Sequence, residues 1–307
     1  MPSFFVTQIG ILYIIILKAR RCNMRVIFLG GDMRQKYASE YINTLGILSK
    51  TYMTFEFDSN FIDEIHNFDV IVLPLPVSYD GVHLNMTSNE KITLNDIILN
   101  ASKNSLILAG NVSDDTLEFA QSIEKKIIDY NKNETFLINN ALLSAEGAIY
   151  YAMEKMSGSV YGSKIAIWGF GRIGKILAYM LKVQGANITI FARKDIDRAW
   201  SNIIGYKAVR ISEDCIEKLY DMNFDYDIIF NTIPKQVMDE VFVSKIHSNT
   251  LIIDLASAPY GIDEALAKKY NLNYYHEGGI PGRYAPKSAG NIIGKAIINI
   301  LEQEKLL

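Results

Sequence analysis

Six consecutive residues carry the clearest chemistry in this chain: Gly169-Phe170-Gly171-Arg172-Ile173-Gly174. They follow an apolar run, Lys164–Trp168, and open a stretch of helical spacing, Ile173–Gln184. A G-x-G-x-x-G alone is weak evidence, but between a strand and a helix it is a dinucleotide-binding fingerprint. Gly169 permits the tight turn, Gly171 lets the backbone approach a pyrophosphate, and Gly174 allows close helix–strand packing. Free N–H groups and the helix dipole at Arg172 and Ile173 favour the bound anion.

The end of the next strand chooses the cofactor. An NAD enzyme usually places Asp or Glu there for the ribose 2′-hydroxyl. This chain has Phe191-Ala192-Arg193-Lys194, with no acid before Asp195. Arg193 can pair with a 2′-phosphate and stack on adenine, which favours NADP over NAD. The plainer reading of Arg193 and Lys194 is a solvated strand exit. Two later strand ends should also face the cofactor, because ligands bind outside the carboxyl ends of parallel strands. These are Asn231-Thr232-Ile233-Pro234 and Asp254-Leu255-Ala256-Ser257. Pro234 has no N–H and ends its strand, freeing backbone groups of Thr232 and Ile233. Asn231 is either a turn residue or a cofactor contact. Asp254 is either a cap or a catalytic or ribose-binding group.

Charged groups elsewhere suit a small anionic substrate. Gly30-Gly31-Asp32-Met33-Arg34-Gln35 is a second glycine turn into a helix, without the third glycine of the fingerprint. Arg34 is its candidate anion partner. Ser144-Ala145-Glu146-Gly147 is read as opening a helix that crosses between domains. There Glu146 is either a general base or a complement to the helix dipole. Gly278–Gly290 reads as a constrained glycine–proline loop carrying Arg283, Lys287 and Ser288 into the last helix. His276 precedes it as a second candidate for proton transfer, whereas His83 and His247 have no supporting spacing.

Positioning these groups requires strands that alternate with helices. Strands are expected at Arg25–Leu29, Tyr52–Phe57, Asp69–Leu73, Ser105–Ala109 and Thr135–Ile138, with a helix running to about Leu48. A second series is expected at Lys164–Trp168, Asn187–Phe191, Tyr206–Val209, Asp227–Asn231, Thr250–Asp254 and Leu272–Tyr275. That rhythm predicts an α/β protein of two doubly wound parallel-sheet domains, the second a Rossmann NAD(P)-binding domain. The expected domains are 24–143 and 144–287, with a helix at 288–303 returning to the first.

Composition agrees with two globular cores. The chain has 307 residues, 49% hydrophobic and 21% charged, with 31 Lys plus Arg against 34 Asp plus Glu. No long basic run marks a nucleic-acid footprint. Cys22 and Cys215 form neither a disulfide framework nor a zinc pattern, so no metal site is expected. Phe4–Leu17 is an apolar run of 14 residues, followed by Lys18, Arg20 and Arg21. At ~1.5 Å per residue it is short of a ~30 Å bilayer core, and its charge lies on the wrong side for a secretory signal. Residues 1–23 are therefore read as a dispensable extension, with Met24 opening the first natural strand.

The motifs at 30–35, 144–147, 169–174, 231–234 and 254–257, together with Pro-Gly-x-x-Ala-Pro-Lys-Ser-Ala-Gly at 281–290, resemble the family formed by the A subunit of dipicolinate synthase. They occur in the family's order across Met24–Leu307. The resemblance implies a mother-cell, cytoplasmic enzyme of a spore former, acting in sporulation with a flavoprotein-like B subunit. Its implied reaction is NADP-dependent oxidation of dihydrodipicolinate, or its hydrated precursor, to dipicolinate. Two substrate carboxylates would be held by Gly31, Asp32 and Arg34 from one domain and by Lys287, Ser288 and Arg283 from the other, near Ser144. Arg34, Lys287 and Glu146 are the catalytic candidates. The other readings are a different two-domain NAD(P)-dependent 2-hydroxyacid or amino-acid dehydrogenase, or a non-catalytic NADP-binding subunit. A homo- or hetero-oligomer is expected.

Overall fold

A computed structural model describes residues 24–53, 64–87, 91–211 and 224–307. The chain divides into two compact units, one holding the described residues up to Asn139 together with Ala285–Leu307, the other Asn140–Tyr284. Residues 1–23 and Cys215 lie outside the described residues, as does most of the strand expected at Tyr52–Phe57.

The first unit is built on a parallel sheet of β1 (Arg25–Leu29), β2 (Leu48–Tyr52), β3 (Val70–Val72), β4 (Leu106–Ala109) and β5 (Lys126–Asp129), in the order β2-β1-β3-β4-β5. Its central strands are buried continuously rather than alternately, as a sheet covered on both faces requires. Helices α1 (Met33–Thr44), α2 (Leu94–Asn100) and α3 (Asp114–Ser122) start at Asp32, Thr93 and Ser113, whose side chains accept the first free N–H groups.

Three expectations are corrected in this unit. Helix α1 ends at Thr44, not Leu48, because Gly46 turns the chain at φ +82°. The second strand therefore comes earlier, at Leu48–Tyr52. The fifth strand is Lys126–Asp129, and Thr135–Ile138 is helical, within α4 (Glu134–Lys155). Asn133 supplies the local reason: its Oδ1 accepts from Phe136 N at 3.0 Å, as a helix cap does. Phe136 then buries edge-on against Tyr130, with ring centroids 5.5 Å apart. A three-residue apolar run without alternation fits a strand or a buried helix turn equally.

The second unit contains a six-stranded parallel sheet in the order β11-β10-β9-β6-β7-β8. Its strands are β6 (Lys164–Trp168), β7 (Asn187–Ala192), β8 (Lys207–Arg210), β9 (Ile228–Asn231), β10 (Leu251–Asp254) and β11 (Asn273–His276). Helices α5 (Arg172–Val183), α6 (Asp195–Ile204), α7 (Glu240–Val243), α8 (Glu264–Lys269) and α9 (Ile280–Tyr284) connect or follow them. The strand order reverses between β6 and β9, the switch point at which open α/β sheets bind ligands.

The last helix, α10 (Pro286–Gln303), packs along α1 in the first unit. Gly290 faces Arg34 O and Ala38 N, and Gly294 faces Ala38 O and Tyr41. Any Cβ at Gly290 would meet backbone at 2.6 Å. Both contacts advance in the same chain direction, so the two helices run parallel with their starts side by side.

Candidate nucleotide-binding site

The turn after β6 has the geometry of a phosphate cradle. Gly169 adopts φ +99° and donates its N–H to Phe191 O at 2.9 Å, tying the turn to β7. A Cβ on Gly169 would lie 2.3 Å from Thr232 Oγ1, and one on Gly174 would lie 2.2 Å from Gly169 O. These two glycines are therefore required for packing. Gly171 differs. It is the N-cap of α5 at φ −78°, no side chain caps that helix, and a Cβ there meets nothing within 4 Å. The protein leaves open the one glycine that a pyrophosphate would approach, so the residues present fit a dinucleotide.

A cavity of about 900 Å³ opens beside this turn. Gly169, Phe170, Ala192, Arg193, Lys194, Ile233 and Pro234 line it, together with Asp197, Lys235 and Gln236, which the motifs do not single out. Arg193 and Lys194 are exposed at the end of β7, and their first neighbouring acid, Asp195, is taken by Arg198. Arg198 also donates to Ala192 O at 3.1 Å and Arg193 O at 2.6 Å, which fixes the strand exit.

Asn231 and Asp254 turn away from the cavity toward each other. Both are fully buried. Asn231 Nδ2 donates to Asp254 Oδ1 at 2.8 Å and to Ile233 O at 3.1 Å, and its Oδ1 accepts from Ile233 N. Asp254 further accepts from Ala256 N, Gly261 N and the Tyr274 hydroxyl. With every side-chain oxygen hydrogen-bonded within the protein, these side chains brace the loops after β9 and β10. Burial, with Asp254 next to it, pushes the Tyr274 hydroxyl pKa up, which keeps that hydroxyl a donor. Thr232 donates to Trp168 O at 2.9 Å, holding the β9 loop against the glycine turn. Ser257 is exposed, and Ala256 O lies 3.2 Å from His276 Nε2. The His276 ring packs on Tyr260 at a 46° tilt, with centroids 4.0 Å apart.

The turn after β1 is filled by the protein's own ion pair. Gly30 and Gly31 adopt φ +67° and +77°. Asp32 caps α1 and receives Arg34 Nε and Nη2, and Nη2 also donates to Leu75 O at 2.7 Å. Burial pushes the Arg34 pKa down, but the bonds and charge of Asp32 outweigh it and the net direction is up. Burial likewise raises Asp32, and Arg34 more than reverses that. Arg34 is thus an internal partner here, where a free substrate anchor was expected.

The other candidates are also corrected in part. Glu146 is exposed in the middle of α4, twelve residues from its start, so it complements no helix dipole. Ser144 donates back to Asn140 O at 3.0 Å. The segment 278–290 is largely helical, as α9 and the start of α10, because Ile280 and Tyr284 pack against Gly147 of α4. Arg283 pairs with Glu277 and donates to Gly278 O at 2.8 Å. Lys287 and Ser288 are exposed in the first turn of α10, in the same unit as Arg34 and not opposite it. Glu277 carries no sequence signal although it adjoins His276. It is buried, and it takes the Tyr151 hydroxyl as well as Arg283. Burial first, and Glu277 second, raise the Tyr151 pKa.

A six-stranded doubly wound sheet with an open glycine turn at its switch point defines a dinucleotide-binding domain of the Rossmann type. The family model for the N-terminal domain of the dipicolinate synthase A subunit matches residues 25–131. The A subunit of dipicolinate synthase from Bacillus subtilis is 30% identical over 246 residues, covering 79% of this chain and 81% of that protein. The chain belongs to this family, the A subunits of dipicolinate synthase. The crystal structure of the Bacillus halodurans member superposes with a TM-score of 0.80 at 26% identity, covering 92% of this chain and 98% of that one. D-lactate dehydrogenase from Escherichia coli shares the fold at a TM-score of 0.60 and 13% identity, covering 92% and 97%. Among the described residues, no helix is long and apolar enough to cross a membrane.

Proposed function

We propose that this chain oxidises dihydrodipicolinate, or its hydrated precursor, to dipicolinate with NADP⁺, working together with a B subunit. The observation that carries the cofactor half is the open Gly171 turn beside a cavity lined by Arg193 and Lys194. Family membership supports the substrate half. NADP⁺, when bound, supplies the hydride acceptor. Aromatisation of the ring removes a hydride and a proton, after loss of water where the hydrated precursor is the substrate, so a base on this chain must take the proton. Glu146, an exposed carboxylate on α4, is that base. Arg193 and Lys194 bind the 2′-phosphate as an ion pair.

The substrate carboxylates belong at the open start of α10, beside the closed start of α1. Ala285, at the N-cap of α10, offers no side chain to its free N–H groups, and Lys287 and Ser288 stand exposed in that turn. In this reading Arg34 and Asp32 shape the floor and the α10 start makes the contact.

The test is a coupled assay with the full chain, with and without its candidate B subunit, supplied with NADP⁺ and freshly generated substrate. NADPH and pyridine dicarboxylate should appear together and only when this chain is present. Glu146→Gln should lower turnover about a hundredfold or more, as loss of a general base does, with NADP⁺ affinity unchanged. Lys287→Ala should raise KM for substrate with NADP⁺ affinity likewise unchanged. NADP⁺ binding without product in either preparation would leave the cofactor site standing and remove the substrate.

A further inference from the structure

The second unit carries an apolar face that none of the described residues covers. On α6, Ile196, Trp200, Ile203 and Ile204 are each more than half exposed. Their spacing, i, i+4, i+7 and i+8, puts them on one side of the helix. On α5, Tyr179 and Val183 are also more than half exposed, one turn apart. Helices α5 and α6 cross over between the adjacent strands β6, β7 and β8, and right-handed crossovers put both on the same face of the sheet. Neighbouring crossovers on one face of a sheet lie side by side, so the exposed residues of the two helices flank one another. Aromatic side chains present ~150–250 Å² each. Two aromatic and four aliphatic side chains, each more than half exposed, leave on the order of 700 Å² of apolar surface, above the ~300–600 Å² of the largest patch on an ordinary monomer and near the ~800 Å² per partner of a stable interface.

We infer that this face pairs with a second copy of the same chain, across a two-fold axis through Trp200. Charge selects the occupant. In an antiparallel pairing centred there, the facing residues Ala199, Trp200 and Ile203 are uncharged. Asp195 at the start of one helix, whose side chain stays 92% exposed although Arg198 bonds one of its oxygens, meets exposed Lys207, just beyond the end of the other. The opposed helix dipoles add to this. The other exposed stripe, Ile138, Leu142, Tyr150 and Met153 on α4, has Glu146 at its centre. A two-fold axis there would set Glu146 against itself, so self-pairing is unfavourable on α4 and favourable on α6.

The chain has two tryptophans, and Trp168 is buried in its core. Acrylamide quenching of the full chain therefore reports on Trp200 directly, alongside sedimentation. The expected particle is twice the 34.7 kDa chain mass, with both tryptophans shielded and Trp200 becoming quenchable on dilution. Trp200→Glu should yield a monomer, and Met153→Glu should leave the dimer intact. Lys207→Glu should weaken dimerisation at least tenfold, and adding Asp195→Lys should restore it. A chain that stays monomeric at high micromolar concentration with Trp200 quenchable overturns the inference. So does a dimer that survives Trp200→Glu, or a Trp200 that becomes shielded only when a different protein is added.

Discussion

Two turns in this molecule share one local design and end differently. After β1 and after β6, a buried strand runs into glycines and then into a twelve-residue helix. After β1, the helix start is capped by Asp32, Asp32 is clamped by Arg34, and Arg34 is held by Leu75 O. After β6, the cap is Gly171, with no side chain and open space where a Cβ would be. A helix N-terminus attracts an anion in both places. What separates them is whether the chain supplies the anion itself. The β1 turn is closed by a carboxylate of its own, and the β6 turn is left for a ligand.

The two turns should respond in opposite ways to the same kind of change. Gly171→Val should abolish tight NADP⁺ binding, raising Kd more than a hundredfold, about 2.7 kcal/mol, while the melting temperature stays put. Titration calorimetry with a thermal melt reads both. Gly30→Ala should do the reverse. Gly30 sits at φ +67°, with Asn85 O 2.6 Å from the position of a Cβ, so the fold should lose about 2 kcal/mol or more. Denaturant unfolding measures that loss, with cofactor affinity in the surviving folded protein little changed.

A smaller effect tests the strand exit after β7. Replacing Arg193 and Lys194 together with Ala should weaken NADP⁺ at least tenfold, about 1.4 kcal/mol, and NAD⁺ less than about threefold, as for lost phosphate pairing. Equal loss for both cofactors would mean that these cations serve the pyrophosphate or the fold.

The smallest effect belongs to the Asp32–Arg34 pair. Asp32 keeps a lowered pKa in the folded chain, so the stability it contributes is fully present above the unfolded value of ~3.9. It is lost as pH falls through the folded value. Asp32→Asn should therefore cost about 1 kcal/mol near neutral pH, scaled down because the carboxylate is partly exposed. The gap to the unsubstituted protein should close below about pH 4. A gap that persists in acid would place the stabilisation elsewhere than in the Asp32 charge, since Asn caps a helix as well as Asp does.

Much of this is legible in the sequence, and what is not has physical causes. The β6 motif can be read because three glycines at fixed spacing record steric needs, and two of them, Gly169 and Gly174, meet backbone or side-chain atoms within 2.3 Å of a Cβ. Strand existence is likewise readable from continuous apolar runs, as at Ile228–Asn231 and Leu251–Asp254. Thr135–Ile138 misleads because three apolar residues in a row carry no period, and the deciding cap at Asn133 lies outside them. The side chains of Asn231, Asp254 and Arg34 look available to ligands because nothing in a sequence says that their partners are already in the fold. Glu277 stays hidden for the complementary reason. Its burial with Tyr151 and Arg283 depends on α9 docking on α4 at Gly147, a contact between segments more than 130 residues apart.

The most direct measurement is calorimetric titration of NADP⁺ and NAD⁺ into the full-length chain and into Gly171→Val, with melting temperatures taken on the same samples. The unsubstituted chain should bind NADP⁺ the more tightly, and Gly171→Val should melt at the same temperature and bind neither. Unchanged NADP⁺ affinity in Gly171→Val would contradict this, because the open turn after β6 would then not be where the nucleotide sits.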